Sequence, residues 1–247
     1  MNPHLTTGQA LFHLLFPSVC PACQQVRPLQ PIGLCPPCLA TLADNIRHNY
    51  CRGCGTSAGP FAAANDRCSS CKDQPRTLAG VVRVGSHTGS LRQLLLAFKF
   101  GHDHGLNRTF GLLLARTLQD APWFEQVDAL LAVPTTRRRR MLGRPYIADA
   151  LAQRAAKTVN LPVLPLLRRV RGGPSQVGLS RTQRMENVKG AFRLARGVSL
   201  NRAVLCLVDD VATTGATLAE CAKVLKRAGA AKVFAAVACK NSRHDAI

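Results

Sequence analysis

The sequence predicts an α/β domain with a mainly parallel sheet, preceded by a small cysteine-rich module. Two observations carry that expectation. From residue 79 onward, short apolar runs alternate with stretches that carry apolar residues at helical spacing, the pattern of successive strand–helix units. Before that point, eight of the 11 cysteines fall within the first 71 of 247 residues, and large apolar side chains are scarce. Between Val19 and Arg76 the aromatics are Tyr50 and Phe61, too few for a core. The expected division is 16–75 for the cysteine-rich module and 76–243 for the α/β domain, whose size is ordinary.

The eight early cysteines form four C-x-x-C pairs: Cys20/Cys23, Cys35/Cys38, Cys51/Cys54 and Cys68/Cys71. Each such turn aims two thiolates at one tetrahedral metal, and two turns complete a four-cysteine zinc site. Gaps of 11, 12 and 13 residues between successive pairs are close to those of zinc-ribbon hairpins. Two structural zinc ions are therefore expected, supplying most of the module's folding free energy. Sequential pairing puts the first two pairs on one ion and the last two on the other; interleaved pairing satisfies the same ligand count. Disulfides need an oxidising compartment, yet the first 16 residues have no basic n-region and no cleavage site, which points to the cytoplasm. Thioredoxin-like chemistry would place one C-x-x-C after a strand, not four in tandem. The apolar stretch 10–19 is short and broken by His13 and Pro17, so no membrane insertion is expected.

Within the second part, residues 79–84 read as a strand, 91–100 and 106–118 as helices, and 129–133 as a strand ending at Pro134. A helix is expected over 148–158 and a short strand near Val163. The strand 204–208 leads into a helix over 218–228, which Gly229 stops, and 233–238 is the last strand. Cys206, Cys221 and Cys239 lie in apolar runs and read as core residues.

The run from Ala203 to Leu218 is the most informative. Residues 204–208 are apolar on both faces, as in an interior strand of a parallel sheet. Asp209 and Asp210 follow at the strand end, where open α/β sheets place their ligands. The loop Ala212, Thr213, Thr214, Gly215, Ala216 and Thr217 is small and rich in hydroxyls, and a helix begins there. Amides at a helix N-terminus attract anions, and small side chains let a phosphate come close. Two carboxylates beside such a cradle suit a sugar phosphate, with acids for ribose hydroxyls and amides for the phosphate. A helix cap needs one hydroxyl rather than three, and adjacent acids repel unless a cation or hydroxylated ligand joins them. The G-x-x-x-x-G-K-[ST] pattern of nucleotide-triphosphate loops occurs nowhere.

Net charge is +20, and it is uneven. Residues 137–193 hold 14 basic and 2 acidic side chains, among them Arg138, Arg139, Arg140 and Arg184. So dense a cluster asks for an anionic partner: pyrophosphate, or nucleic acid bound through its backbone. That stretch offers Tyr146 and Phe192 as its aromatics, so base stacking would be minor and binding strongly salt-dependent.

The run around Asp209 and Asp210 resembles, position for position, the phosphoribosyl pyrophosphate (PRPP) motif of type I phosphoribosyltransferases. The run Gln176-Val-Gly-Leu-Ser-Arg-Thr-Gln-Arg-Met-Glu-Asn-Val-Lys-Gly-Ala-Phe192 resembles a signature of the ComF family, as does Ala97-Phe-Lys-Phe-Gly101. A double zinc ribbon before a phosphoribosyltransferase-like domain is that family's layout. One stretch departs: Gly143-Arg-Pro-Tyr-Ile147 stands where the family carries Arg-Gly-Phe-Asn-Gln, which removes any role of the Asn and Gln. The resemblance implies that Asp209 and Asp210 hold the ribose hydroxyls, partly through Mg²⁺-bound water, while residues 213–217 cradle the 5′-phosphate. It implies that Thr135, Thr136 and Arg137 meet the pyrophosphate, and that 168–184 is a mobile loop closing over it. The zinc ribbons are then the candidate hood over the site. It further implies handling of incoming single-stranded DNA during natural transformation, alongside membrane-associated uptake machinery. The other implied class is an active phosphoribosyltransferase acting on an unknown base or amine.

Overall fold

A computed structural model describes residues 19–26, 34–47, 49–58, 68–69, 71–72, 77–100, 104–135, 146–172 and 180–241. In chain order these form α1 (Pro36–Arg47), β1 (Gly80–Ser86), α2 (Gly89–Phe100), α3 (His104–Gln119), β2 (Ala129–Ala132) and α4 (Ile147–Val159). There follow β3 (Leu167–Arg169), α5 (Arg181–Val188), β4 (Phe192–Leu194), β5 (Val204–Ala212), α6 (Ala216–Arg227) and β6 (Lys232–Lys240).

The four long strands pair in the order β1-β6-β5-β2, every pairing parallel. Because successive side chains leave a strand on opposite faces, each strand feeds two cores. Val82, Val84, Leu130, Cys206, Val208, Ala236 and Cys239 pack with α2, α3 and α4 on one face. Val81, Leu131, Leu205, Leu207, Ala235 and Val237 pack with α6 and the β3–β4 ribbon on the other. The fold is thus an α/β sheet covered on both faces, as the strand–helix alternation predicts. Cys206, Cys221 and Cys239 are fully buried core residues. No helix of the described residues is long and apolar enough to cross a membrane.

The cysteine-rich segment covers the edge at β1. The amide of Val81 donates to the Arg52 carbonyl at 2.7 Å, and Ser57 and Ser86 meet through their hydroxyls at 3.0 Å. The buried Arg83 donates to Ser57 Oγ at 3.1 Å and lies 5.1 Å from the centre of the Tyr50 ring. Asn45 on α1 accepts from the Ser86 amide at 2.8 Å. An exposed sheet edge is thereby capped.

Four expectations are corrected. β5 runs on through both acids to Ala212, because its pairing with β6 continues at Asp209↔Val237 and Val211↔Cys239. Val163 makes one isolated bridge to Leu130 rather than a strand. The segment 168–184 expected as a mobile loop holds built structure at its two ends: β3 pairs antiparallel with β4, and α5 starts at a capping box in which Ser180 and Gln183 satisfy each other's backbone amides. Residues 173–179 of that segment lie outside the described residues. Finally, Cys35 and Cys38 stand at the start of a helix instead of a bare turn, with Pro36 and Pro37 in its first turn, where a missing N–H is harmless.

Candidate functional site

Asp209 and Asp210 lie near the end of β5, at the C-terminal edge of the sheet. Each turns one carboxylate oxygen back to the next backbone amide, Asp209 Oδ1 accepting from Asp210 at 2.9 Å and Asp210 Oδ1 from Val211 at 2.8 Å. The other oxygen of Asp210 meets Lys99 Nζ, from the last turn of α2, at 2.7 Å. Burial and the neighbouring Asp210 charge push the Asp209 carboxyl well above the usual carboxylate range. Burial works the same way on Asp210, but Lys99 overrides it and holds that carboxyl below its ordinary value. The two adjacent acids are thus set apart in proton affinity, one favouring the neutral form and one the charged form. His87 follows β1 at the same edge, its amide donating to the Lys240 carbonyl at 2.9 Å. Burial, then the Lys99 and Arg92 charges, lower its proton affinity.

Beyond Ala212 the loop Thr213–Thr214–Gly215 enters α6. Gly215 adopts φ 76°, which L side chains rarely take, and the space a Cβ would enter is open. Gly215 gives α6 no side-chain cap; Thr214 Oγ1 accepts from the Ala216 amide at 3.3 Å. A small concavity is lined by Asp209, Thr213, Thr214, Gly215, Ala216 and Thr217 with their apolar neighbours. The buried Lys240, at the end of β6, donates from Nζ to the Thr213 carbonyl and sets a cation under the loop. The expected cradle residues and acid pair are therefore brought together, with anion-seeking amides at a helix start.

Thr135 is half-buried after β2, next to the buried Pro134. Tyr146, from the departing stretch, donates its hydroxyl to the Val133 carbonyl. Burial and the Asp209 charge raise its phenol above the ordinary range. Both ends of the intervening loop are thereby tied together near Asp209. Thr136, Arg137, Arg138, Arg139 and Arg140 lie outside the described residues. Arg184 sits on α5, half-buried, and is not among the residues that line the concavity at the β5 loop.

The cysteines form two clusters, Cys20/Cys23/Cys35/Cys38 and Cys51/Cys54/Cys68/Cys71, each with its sulfurs within 4.8 Å of one another. Sequential pairing is what the chain adopts. Sulfur separations are 3.6 Å for Cys23–Cys35, 3.7 Å for Cys51–Cys71 and Cys54–Cys68, and 3.8 Å for Cys68–Cys71. A tetrahedron with Zn–S of about 2.3 Å has an edge of about 3.8 Å, so the donor set fits zinc in both clusters. The first knuckle of each is the same device: Gln24 N donates to Cys20 O and Gly55 N to Cys51 O, both at 2.7 Å, with Gln24 and Gly55 at φ 63° and 75°. Burial opposes the Cys20 thiolate, but the amides of Cys35, Cys23 and Ala22 bring it down to about 6.

Lys99, Lys240, His87 and Tyr146 are additions to the site that sequence reasoning does not assign. Lys99 lies within the element Ala97–Gly101, and Tyr146 within the departing stretch, but neither pattern gives them a role. For Lys240 the one signal is a lysine ending a buried strand.

A family model described as the double zinc ribbon domain matches residues 11–73. Competence protein F of Haemophilus influenzae is 32% identical over 208 residues, covering 81% of this chain and 87% of that protein. The DNA utilization protein YhgH of Salmonella typhimurium is 29% identical over 232 residues, covering 92% and 99%. Among solved structures, glutamine PRPP amidotransferase from B. subtilis overlaps 53% of this chain and 25% of its own, with 22% identity and a TM-score of 0.35. TT1426 from Thermus thermophilus overlaps 53% and 72%, with 19% identity and a TM-score of 0.30.

Proposed function

The chain belongs to the family of competence protein F, and on that premise we propose that it binds PRPP or a related phosphosugar with Mg²⁺ and also binds single-stranded DNA, handling incoming DNA in the cytoplasm during natural transformation. The observation that carries the phosphosugar site is the acid pair at the end of β5, followed within one turn by a small-residue loop and a helix start whose N-cap residue, Gly215, offers no side chain. Asp209 and Asp210 receive the ribose hydroxyls. Ala212, Thr213, Thr214, Gly215, Ala216 and Thr217 take the 5′-phosphate, and Thr135, Thr136 and Arg137 take the pyrophosphate. Lys99 and Lys240 supply fixed positive charge on either side. The donor set fits Mg²⁺, which is commonly held by one or two carboxylates together with ligand phosphates; bound there, it would neutralise pyrophosphate charge. The names competence protein F and DNA utilization protein support the DNA role. Arg138, Arg139, Arg140 and Arg184 are the proposed phosphate contacts within the basic segment. The zinc-bearing residues 16–75 act as a cover for the α/β domain 76–243, a reading supported by the Asn45 bond beside the site edge.

A second reading is favoured by one observation: Asp209 and Asp210 differ in proton affinity in opposite directions. Such a split is how two acids take distinct roles in catalysis. It supports transfer of ribose 5-phosphate from PRPP to a base or amine acceptor. Titrating the protein with PRPP, with and without Mg²⁺, and then assaying pyrophosphate release over a panel of bases, amines and oligonucleotides tests both. Tight Mg²⁺-dependent binding is expected. No PRPP binding by the parent protein overturns the site; release with one acceptor establishes the enzyme.

A further inference from the structure

A second concentration of positive charge lies at the opposite end of α6 from the phosphosugar loop. A cavity of about 720 Å³ is lined by Arg168, Val170, Phe192, Arg193, Leu194, Arg196, Val224 and Arg227. Half of those residues are arginines and none carries a carboxylate. Phe192 is buried and Leu194 and Val224 are half-buried, while all four arginines are exposed.

The ribbon itself makes the argument sharper. Arg168 on β3 and Arg193 on β4 are direct cross-strand partners. Like charges directly opposite one another on paired strands are destabilising. The pairs on either side, Leu167↔Leu194 and Arg169↔Phe192, are apolar or cation-on-ring and need no anion. Among the described residues, the ion pairs of the chain involve Lys99, Arg116, Lys189 and Lys223, and none of the four groove arginines. A two-stranded ribbon that sets two arginines face to face, with Arg196 and Arg227 also lining the cavity, leaves its charge to be balanced from outside the chain.

We propose that this groove binds the phosphodiester backbone of a single nucleic-acid strand; the proposal rests on the single-strand reading above and assigns its location. Guanidinium groups bind phosphate through two parallel N–H bonds, and a concave cavity of this size accepts a few nucleotides of a flexible strand. The one large aromatic of the lining, Phe192, is buried and already stacked by Arg169, so bases gain little and the backbone carries the affinity. α6 has 12 residues, so about 18 Å of helix separates Gly215 from the groove end at Arg227. The groove and the phosphosugar loop are therefore separate, and the groove's share of strand binding does not depend on the phosphosugar.

Fluorescence anisotropy with labelled oligothymidylate and mixed-sequence oligonucleotides across a salt series tests this. The variants are R168Q/R193Q and R196Q/R227Q, with R108Q/K157Q as a charge-matched control on the helices of the other sheet face. Each groove variant should weaken binding to all sequences alike, by about tenfold or more, and flatten the salt slope by about 0.7 for each phosphate that is no longer neutralised. The control should behave like the parent. R168Q/R193Q should melt no lower than the parent, because it removes the facing charges; if it fails to fold, R196Q/R227Q alone decides. Saturating PRPP with Mg²⁺ should leave the ratio of parent to groove-variant affinity unchanged. Groove variants that bind like the parent, or a parent-to-variant ratio that PRPP abolishes, overturn the groove while leaving single-strand binding intact. A parent that binds no strand even at low salt overturns both. Groove-dependent binding of duplex DNA or anionic vesicles at equal affinity overturns the choice of occupant.

Discussion

Lys99 and Asp210 meet at 2.7 Å between the last turn of α2 and the end of β5. This contact lets two adjacent, half-buried acids coexist at the sheet edge: Lys99 favours the charged form of Asp210, while burial and then the Asp210 charge raise the proton affinity of Asp209. Any ligand cation or ribose that enters meets an asymmetric pair, already partly neutralised.

Lys99→Met should lower the melting temperature by about 2–4 °C at neutral pH, the effect of up to about 1 kcal/mol for a partly screened pair. The same substitution in an Asp210→Asn background should change little, because the partner charge is gone. A double-mutant thermal series measures the coupling. Equal losses in both backgrounds would mean that Lys99 acts by packing alone.

Asp209→Asn should do the reverse. A folded-state pKa raised above the unfolded value means that the native state holds its proton longer. Stability from this group is therefore greatest at low pH and falls as pH rises from about 4 through the raised folded value. Asparagine carries no such penalty, so the variant should exceed the parent in melting temperature, by a margin that grows as pH rises above about 4. It should also lose PRPP binding. A margin that does not change with pH would place the Asp209 effect in packing.

The apolar centre of β5 and the acid pair were legible because burial leaves a strong trace: residues 204–208 are apolar on both faces, and Asp209 breaks the run. The extension of β5 to Ala212 was not legible, since it depends on backbone pairing with β6, which any side chain permits. Lys99 reaches Asp210 from 111 positions away, a contact that only the sheet topology creates. The β3–β4 ribbon was missed because strands of three residues, two of them arginine in Leu167–Arg169, carry no periodic signal. α1 was missed for another reason: Leu39, Leu42 and Ile46 are helically spaced, but the cysteines and prolines around them read as turns.

Gly55→Ala should destabilise the second cluster. The position holds φ 75°, and an added Cβ would stand 3.2 Å from Val81 Cγ1. Left-handed strain and close packing together cost about 1–3 kcal/mol. Zinc should leave the variant faster than the parent under a chelator, followed by a colorimetric metal dye. The twin position Gln24 already tolerates φ 63°, so Gln24→Gly should slow release or leave it unchanged. Parent-like release from Gly55→Ala would show that the knuckle adjusts freely.

Metal content should be about two zinc ions per chain, and each cluster should hold one independently. Cys23→Ser and Cys51→Ser should each retain about one. Their consequences should differ, because the clusters support different parts of the sheet edge. The second cluster carries the Arg52 carbonyl that accepts the Val81 amide at 2.7 Å, so Cys51→Ser should speed hydrogen exchange in β1 at Val81. The first cluster carries α1, whose Asn45 accepts the Ser86 amide at 2.8 Å, so Cys23→Ser should speed exchange at Ser86 instead. Exchange in β5 and β6, which pair along their whole length in the sheet centre, should stay slow in both. Eight freely titrating thiols in the native parent would refute the clusters. Identical exchange patterns in the two variants would mean that the cysteine-rich segment opens as one unit.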